Sequence, residues 1–378
     1  MNRTRNFSAG PGALPESVLA EAQRAVMALP GTGISILGLS HRSRQFRDML
    51  DEAEARLRDL LALPADYRVL FLQGGGTLQF SMVPMAMLPK DRTADYIVGG
   101  YWSRNAAEAA RHHGHVRVAW DGSSDGFRRL PAADLPLGRS DAAYLHYVSN
   151  ETVEGLQFRK APAANTALVC DASSDFLSRP LDVRPFSLVY AHAQKNLGPA
   201  GVTIVLVRDE VLARVPPGLA PVLDYRAHAD ARSLLHTPPV FSIYVVLLSL
   251  RWLANEVGGL SKMGAINAEK AAVVRNALRA NAPFYSQEID PGSASDANVV
   301  FRCATPELDA LFVACAEQAG LIGTEGHRSR GGLRISLYNG VTLDDANVAA
   351  AFLSEFAHAR ASNIRVTAER TRSTGSTR

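Results

Sequence analysis

Apolar positions along the chain switch between two periods. Glu16 to Ala28 places Val18, Leu19, Ala22 and Val26 at helical spacing, with Leu29 just beyond and Pro15 suited to a first turn. Phe46 to Leu61 repeats the pattern with Met49, Leu50, Ala53, Leu57 and Leu60. Short apolar runs then alternate with helical stretches. They cover 68–72, 94–98, 115–119, 142–148, 166–170, 188–191 and 202–207. Such runs read as buried strands. Strands separated by helices predict an α/β fold with a largely parallel sheet.

From Pro239 a helical tract runs to about Arg279, broken at Gly258-Gly259. The last third has another rhythm: a strand over 298–302, a helix over 307–319, a strand over 332–337 and a helix over 344–358. This is a smaller α+β unit. The expected division is an N-terminal arm over 1–15, a large domain over 16–257 and a small C-terminal domain over 258–360. The stretch 361–378 holds Ser, Thr, Arg and Gly with almost nothing to bury, so disorder is expected there.

Composition narrows the function classes. The 378 residues are enough for two domains, and 47% hydrophobic with 20% charged residues is ordinary for a folded soluble protein. A net charge of +3 without a dense Lys/Arg block argues against a nucleic-acid partner. Cys170, Cys303 and Cys315 are an odd set without paired spacing, which points to a reducing compartment. The N-terminus lacks a signal-peptide core, and the apolar stretch 240–253 is interrupted by Ser242, Ser249 and Arg251. A cytoplasmic protein without membrane partner or metal is expected.

One residue stands out against this background. Lys and Arg total forty, yet only five are lysines: Lys90, Lys160, Lys195, Lys262 and Lys270. Lys195 follows the apolar run Phe186–Ala191. An amine at the end of a buried strand can lose its proton and form a Schiff base, which a guanidinium cannot.

Other residues acquire meaning beside it. Asp171 ends another apolar strand, 195 − 171 = 24 residues earlier. In a parallel sheet both side chains can emerge at one edge, where ligands bind. A carboxylate there suits a protonated ring nitrogen, or serves as a turn residue. Gly74-Gly75-Gly76-Thr77 lies at a strand-to-helix junction, a seat for phosphate or a structural turn. Trp102 offers a flat face for stacking, or a core side chain. Thr152 follows a strand and offers a hydroxyl to a ligand or to a turn. The pairs His41-Arg42 and His327-Arg328 suit anions or a solvated surface, and Arg334 lies inside an apolar strand where an unpaired charge is costly. Together they suggest a substrate carrying carboxylate and phosphate.

These residues fall in a set of ordered motifs: Asn6-Phe7-Ser8-Ala9-Gly10-Pro11, Ser40-His41-Arg42, the glycine turn, Gly100-Tyr101-Trp102, Asn150-Glu151-Thr152, the stretch Ala193–Gly201, Thr237-Pro238-Pro239 and Gly326-His327-Arg328. From about Asn6 to Ala359 the chain resembles the phosphoserine aminotransferases, class-V pyridoxal-phosphate enzymes of fold type I. The resemblance implies a large domain with a mostly parallel seven-stranded sheet, a smaller C-terminal domain, and a homodimer with shared active sites. Lys195 is implied as the Schiff-base lysine and proton shuttle, and Asp171 as the partner of the pyridine nitrogen. Trp102 would stack on the ring and Thr152 bond its phenolic oxygen. Gly76, Thr77 and Gln194 would hold the cofactor phosphate, joined by His236 and Thr237 of the neighbouring subunit. His236 departs from the family's usual asparagine. His41, Arg42, His327, Arg328 and Arg334 would clamp the substrate.

The implied reaction is ping-pong. Phosphoserine and 2-oxoglutarate interconvert with 3-phosphohydroxypyruvate and glutamate in serine biosynthesis. A phosphorylated threonine analogue of vitamin B6 synthesis is a second implied substrate. Two rivals stay open: a different aminotransferase or desulfurase-like lyase of the superfamily, and a non-catalytic phosphometabolite-binding protein. The lyase needs a mobile nucleophilic cysteine, which the settings of Cys303 and Cys315 do not suit.

Overall fold

The computed structural model describes residues 4–132 and 134–374, with side chains described as far as residue 360. Two helices open the fold, α1 (Glu16–Met27) and α2 (Arg44–Leu61). The Ser43 side chain starts α2 by accepting from the Phe46 amide at 3.2 Å, a cap worth about 1 kcal/mol. Strand β1 (Tyr67–Leu72) leads into α3 (Gly75–Met87), β2 (Thr93–Val98) into α4 (Tyr101–Ala110), and β3 (His115–Asp121) follows. Then come β4 (Leu145–Val148), β5 (Leu168–Asp171), β6 (Phe186–His192) and β7 (Thr203–Arg208).

These seven strands form one sheet in the order β1-β7-β6-β5-β4-β2-β3. Only β7 runs antiparallel to its neighbours. The mostly parallel sheet expected from the alternating pattern is therefore present. The predicted 142–148 run begins earlier than β4, but the pairing does extend there. The Ala143 amide donates to the Thr93 carbonyl and the Asp95 amide to the Tyr144 carbonyl, both at 2.8 Å.

Both faces of the sheet are covered, which is why its strands read as unbroken apolar runs. Phe71, Tyr147, Cys170 and Val189 pack on one side with α1, α2 and α5 (Val240–Trp252). Leu70, Val98, Val169 and Tyr190 pack on the other with α3 and α4. The pleat alternates side chains, so Asp171, two residues after Val169, faces α3 and α4. His192 takes the same face two residues after Tyr190.

Helix α5 continues through a π-helical turn, Leu253–Val257. Val240–Val257 is long and apolar enough to cross a membrane, with mean hydropathy 1.4. That is longer than the interrupted stretch read from the sequence. Its residues Ile243 to Leu250 are buried in the core. Helix α6 (Leu260–Ala280) leads to a second, three-stranded sheet of β8 (Tyr285–Ser286), β9 (Asn298–Cys303) and β10 (Leu333–Ser336). Helices α7 (Pro306–Gln318) and α8 (Leu343–Thr374) complete this region. The expected disorder over 361–378 lies outside the residues whose side chains are described.

The arm over 5–6 pairs in parallel with Leu321–Ile322. It then runs past Lys195, just beyond the end of β6. The Gly12 amide donates to the Gln194 carbonyl at 2.8 Å. A Cβ on Gly12 would meet the Lys195 carbonyl at 2.5 Å and the Tyr338 ring at 2.6 Å, so only glycine fits there. Polar side chains lock the two sheets together. Asn150 Nδ2 donates to Asn298 Oδ1 at 2.8 Å, and the Asn339 amide donates to Asn196 Oδ1 at 2.8 Å.

Candidate active site

The carboxyl ends of the central strands open on a cavity of about 220 Å³. In the sheet register Val148, Asp171 and Tyr190 lie abreast. Gly74 and Gly75 turn the chain from β1 into α3 with φ of 90° and 66°, a region other residues enter at a cost. The opening amides of α3 have no helical partner and point toward the cavity beside the positive end of the helix dipole.

Lys195 sits at the centre and is buried. Its Nζ donates to Thr152 Oγ1 at 2.7 Å and to Ser174 Oγ at 2.8 Å, and lies 5.4 Å from the centre of the Trp102 ring. Burial pulls its pKa down from 10.5 to about 8, and the charge of Arg334 pushes the same way, against Asp171 and Glu151. Such an amine spends part of its time neutral near physiological pH. Asp171 is buried, and its Oδ1 accepts from the Ser173 amide at 2.9 Å. Burial raises its pKa; hydrogen bonds from Ser173 and the charge of Lys195 pull it back. A cation placed beside it would be stabilised.

Arg334 enters from β10 and donates from Nη1 to the Thr152 carbonyl at 3.2 Å. It is buried, and its Nε has no partner. Burial lowers its pKa, and the charges of Tyr338 and Glu154 only partly compensate. A buried guanidinium with an idle donor is built for an anion that is not part of the chain. His327 packs against Tyr101, next to Trp102 in the chain, with ring centres 4.8 Å apart.

Eight of the residues singled out from the sequence line this one cavity: Gly74, Gly75, Gly76, Thr77, Trp102, Asp171, Gln194 and Lys195. Thr152 and Arg334 join them through the hydrogen bonds above. Arg328 is exposed nearby in sequence to His327. The cavity lining does not include His41 and Arg42, half-buried and exposed on the loop before α2, where the Arg42 carbonyl accepts from Arg47 Nη2 at 2.6 Å. It does not include His236 and Thr237 either. Gln73 Nε2 holds them just outside the glycine turn, 3.4 Å from His236 Nδ1 and 3.0 Å from the Thr237 carbonyl.

Sequence reasoning missed the residues that position Trp102. Glu151 accepts from the Trp102 and Ser103 amides at 3.0 and 2.9 Å, and Glu154 accepts from the Tyr101 amide at 3.1 Å. Two buried carboxylates thus cap α4. A Cβ on Gly100 would strike the Glu154 carboxylate, so a side chain there would displace that cap. Burial, then the charge of Glu154, pushes the Glu151 carboxyl well above the usual carboxylate range. Glu151 stood in a quoted motif, but its partners lie about fifty positions away and no local pattern announces them. Ser173, Ser174 and His192 were also missed. The Ser173-Ser174 pair, one residue beyond Asp171, was the available signal.

The cavity suits pyridoxal phosphate. Trp102 gives a flat wall, Asp171 a carboxylate for a ring nitrogen, the α3 turn a seat for phosphate, and Lys195 an amine. Trp102 Nε1 and His192 Nδ1 are buried without partners at its edge. Among the described residues, no group of three His, Cys, Asp or Glu side chains is placed to hold a metal.

Comparison with known proteins decides the family. The model for aminotransferase class V matches residues 4–348. The chain belongs to the class-V aminotransferases. A phosphoserine aminotransferase of Laribacter hongkongensis is 46% identical over 352 residues, spanning 93% of this chain and 98% of that one. A solved phosphoserine aminotransferase from Bacillus circulans subsp. alkalophilus superposes with a TM-score of 0.92 at 42% identity, covering 95% and 100% of the two chains. One from Trichomonas vaginalis, solved with bound pyridoxal phosphate, gives 0.88 at 33% identity, covering 93% and 99%. For a class-V aminotransferase, the cavity at Lys195 is the place to look for the chemistry.

Proposed function

We propose that this chain is a phosphoserine aminotransferase, interconverting O-phospho-L-serine and 2-oxoglutarate with 3-phosphohydroxypyruvate and L-glutamate in serine biosynthesis. The observation that carries the reading is the buried, under-partnered Arg334 beside a buried amine of lowered pKa. When bound, pyridoxal phosphate supplies an aldehyde that condenses with amines and a ring that accepts the electron pair released at Cα.

The residues of the chain divide the work. Lys195 carries the proton between Cα and the cofactor, with Thr152 and Ser174 orienting its Nζ. Asp171 keeps the ring nitrogen protonated. Trp102, fixed by Glu151, covers one ring face and excludes water. Gly76, Thr77 and Gln194 hold the phosphate end. Arg334 binds the substrate carboxylate shared by both half-reactions, and His327-Arg328 face the phosphorylated end at the mouth.

A homodimer completes the site in this reading. His41-Arg42 and His236-Thr237 lie outside the cavity of their own chain, and exposed apolar residues accompany both segments. Ile34 and Leu37 precede His41 at 50% and 64% exposure. Val222, 52% exposed, accepts through its carbonyl from His228, whose ring stands 5.8 Å from that of His236. A second copy would cover these side chains and bring His236-Thr237 to the partner's phosphate. A cytoplasmic setting accords with three free cysteines.

Substrate choice tests the proposal. Phosphoserine should convert the cofactor to its amino form with a kcat/KM at least about 10³-fold above serine, since a site built for a charged group rejects the analogue lacking it. Equal use of the two would rule out the phosphate clamp. The rate of cofactor capture by apoprotein should also climb with pH, half-maximal near pH 8, because only the neutral Lys195 attacks an aldehyde. Arg334→Leu should move that midpoint upward by removing a repelling charge. A midpoint near the ordinary 10.5 of lysine would contradict the buried setting.

A further inference from the structure

Strand β6 ends at His192, three residues before Lys195. The pleat points its side chain to the same side as Tyr190, toward the glycine turn. A Cβ on Gly76 would lie 3.2 Å from His192 Cδ2 and 3.5 Å from Ser173 Oγ. The edge of the imidazole that carries Cδ2 and Nε2 is therefore against the turn. Nδ1 is on the far edge, buried and without a hydrogen-bond partner. The backbone amide of His192 donates to Ser173 Oγ at 3.3 Å, which fixes the strand end.

This arrangement settles where the ring proton sits. Burial lowers the His192 pKa to about 3, with the charge of Lys195 pushing the same way and hydrogen bonding to the Gln194 side chain only partly opposing, so the ring is neutral. A neutral imidazole has one N–H and one lone pair. A buried N–H without an acceptor is a worse defect than an idle lone pair. The proton therefore belongs on Nε2, the ring atom bonded to the Cδ2 that faces Gly76. There it adds a side-chain donor to the unpaired amides at the start of α3.

The geometry points to His192 as a further ligand of the cofactor phosphate, its Nε2–H donating to the anion held by the Gly74–Thr77 turn. The inference rests on the pyridoxal-phosphate reading above and extends it to a residue that this reading did not use. His192 acts on binding and placement of the cofactor, not on proton transfer.

Titration of the apoprotein with pyridoxal phosphate and with pyridoxal, which lacks the phosphate, separates the roles. Affinity is read from tryptophan fluorescence and from absorbance of the bound cofactor. His192→Ala should weaken pyridoxal phosphate about 10- to 100-fold, the range for one hydrogen bond to a charged group. Its affinity for pyridoxal should stay unchanged. His192→Gln, which keeps an N–H donor, should recover part of the loss. His192→Leu fills the space without a donor and carries the same expectation where the alanine variant fails to fold. Equal weakening of both compounds would make His192 a packing residue and overturn the inference, and so would no weakening of either. Wild-type protein that binds neither compound would remove the cofactor reading itself, and this inference with it.

Discussion

Lys195→Ala lowers kcat for amino transfer by about 10⁴-fold or more while the protein stays folded. General acid–base catalysis alone is worth about 10²–10⁴-fold, and in the proposed function Lys195 also supplies the amine that engages the cofactor. Folding should survive because the amine is a burden to the folded state: burial lowers its pKa from 10.5 to about 8. Its acceptors also have each other, since Thr152 Oγ1 and Ser174 Oγ lie 2.5 Å apart. Lys270→Ala provides the contrast. Lys270 Nζ donates to the Tyr338 and Val341 carbonyls at 2.9 and 2.8 Å. Its loss strands buried acceptors, which costs about 1–3 kcal/mol. That variant should lose Tm and keep its kcat. Turnover by Lys195→Ala within tenfold of wild type would refute the assignment.

Arg334→Leu raises KM for phosphoserine and for glutamate by about 10²–10³-fold and raises the Tm of the apoprotein. The two effects have one cause. Losing one member of a buried charge pair costs about 2–5 kcal/mol of binding. Without substrate, the same guanidinium is a buried charge with an idle Nε and a single weak bond to the Thr152 carbonyl. Replacing such a charge by an apolar side chain of similar size often stabilises, by about 1–4 kcal/mol. Opposite signs in steady-state kinetics and thermal unfolding are the signature. A fall in both would mean that Arg334 supports the fold, and an unchanged KM would remove it from the substrate site.

The sheet was legible because its strands are covered on both faces and leave apolar runs such as 68–72 and 202–207. The central pair was legible for the same reason: Asp171 and Lys195 are polar residues at the ends of such runs. Arg334 was legible as a charge inside an apolar strand. Features made by contacts between distant segments left no local trace. The Glu151 and Glu154 caps on α4 depend on a hairpin about fifty residues further along the chain. His192 reads as one more residue of a strand until Gly76 is found against its ring. His41, Arg42 and His236 were recognised as polar residues of interest, yet a chain folded alone leaves them outside the cavity. In the proposed homodimer a second copy would complete the site, and no periodicity within one chain reports on that.

Trapping the cofactor on its lysine tests the account most directly. The holoenzyme is reduced with borohydride, digested and mapped by mass spectrometry. The pyridoxyl-phosphate mass should appear on the peptide holding Lys195 and on none of the other four lysines. Lys270 is the informative control, since burial lowers its pKa to about 7 and makes it as reactive on charge alone. Its two carbonyl acceptors, and its place outside the lining of the cavity, should leave it unlabelled. A label on Lys270, or on no lysine at all, would contradict the site described for this chain.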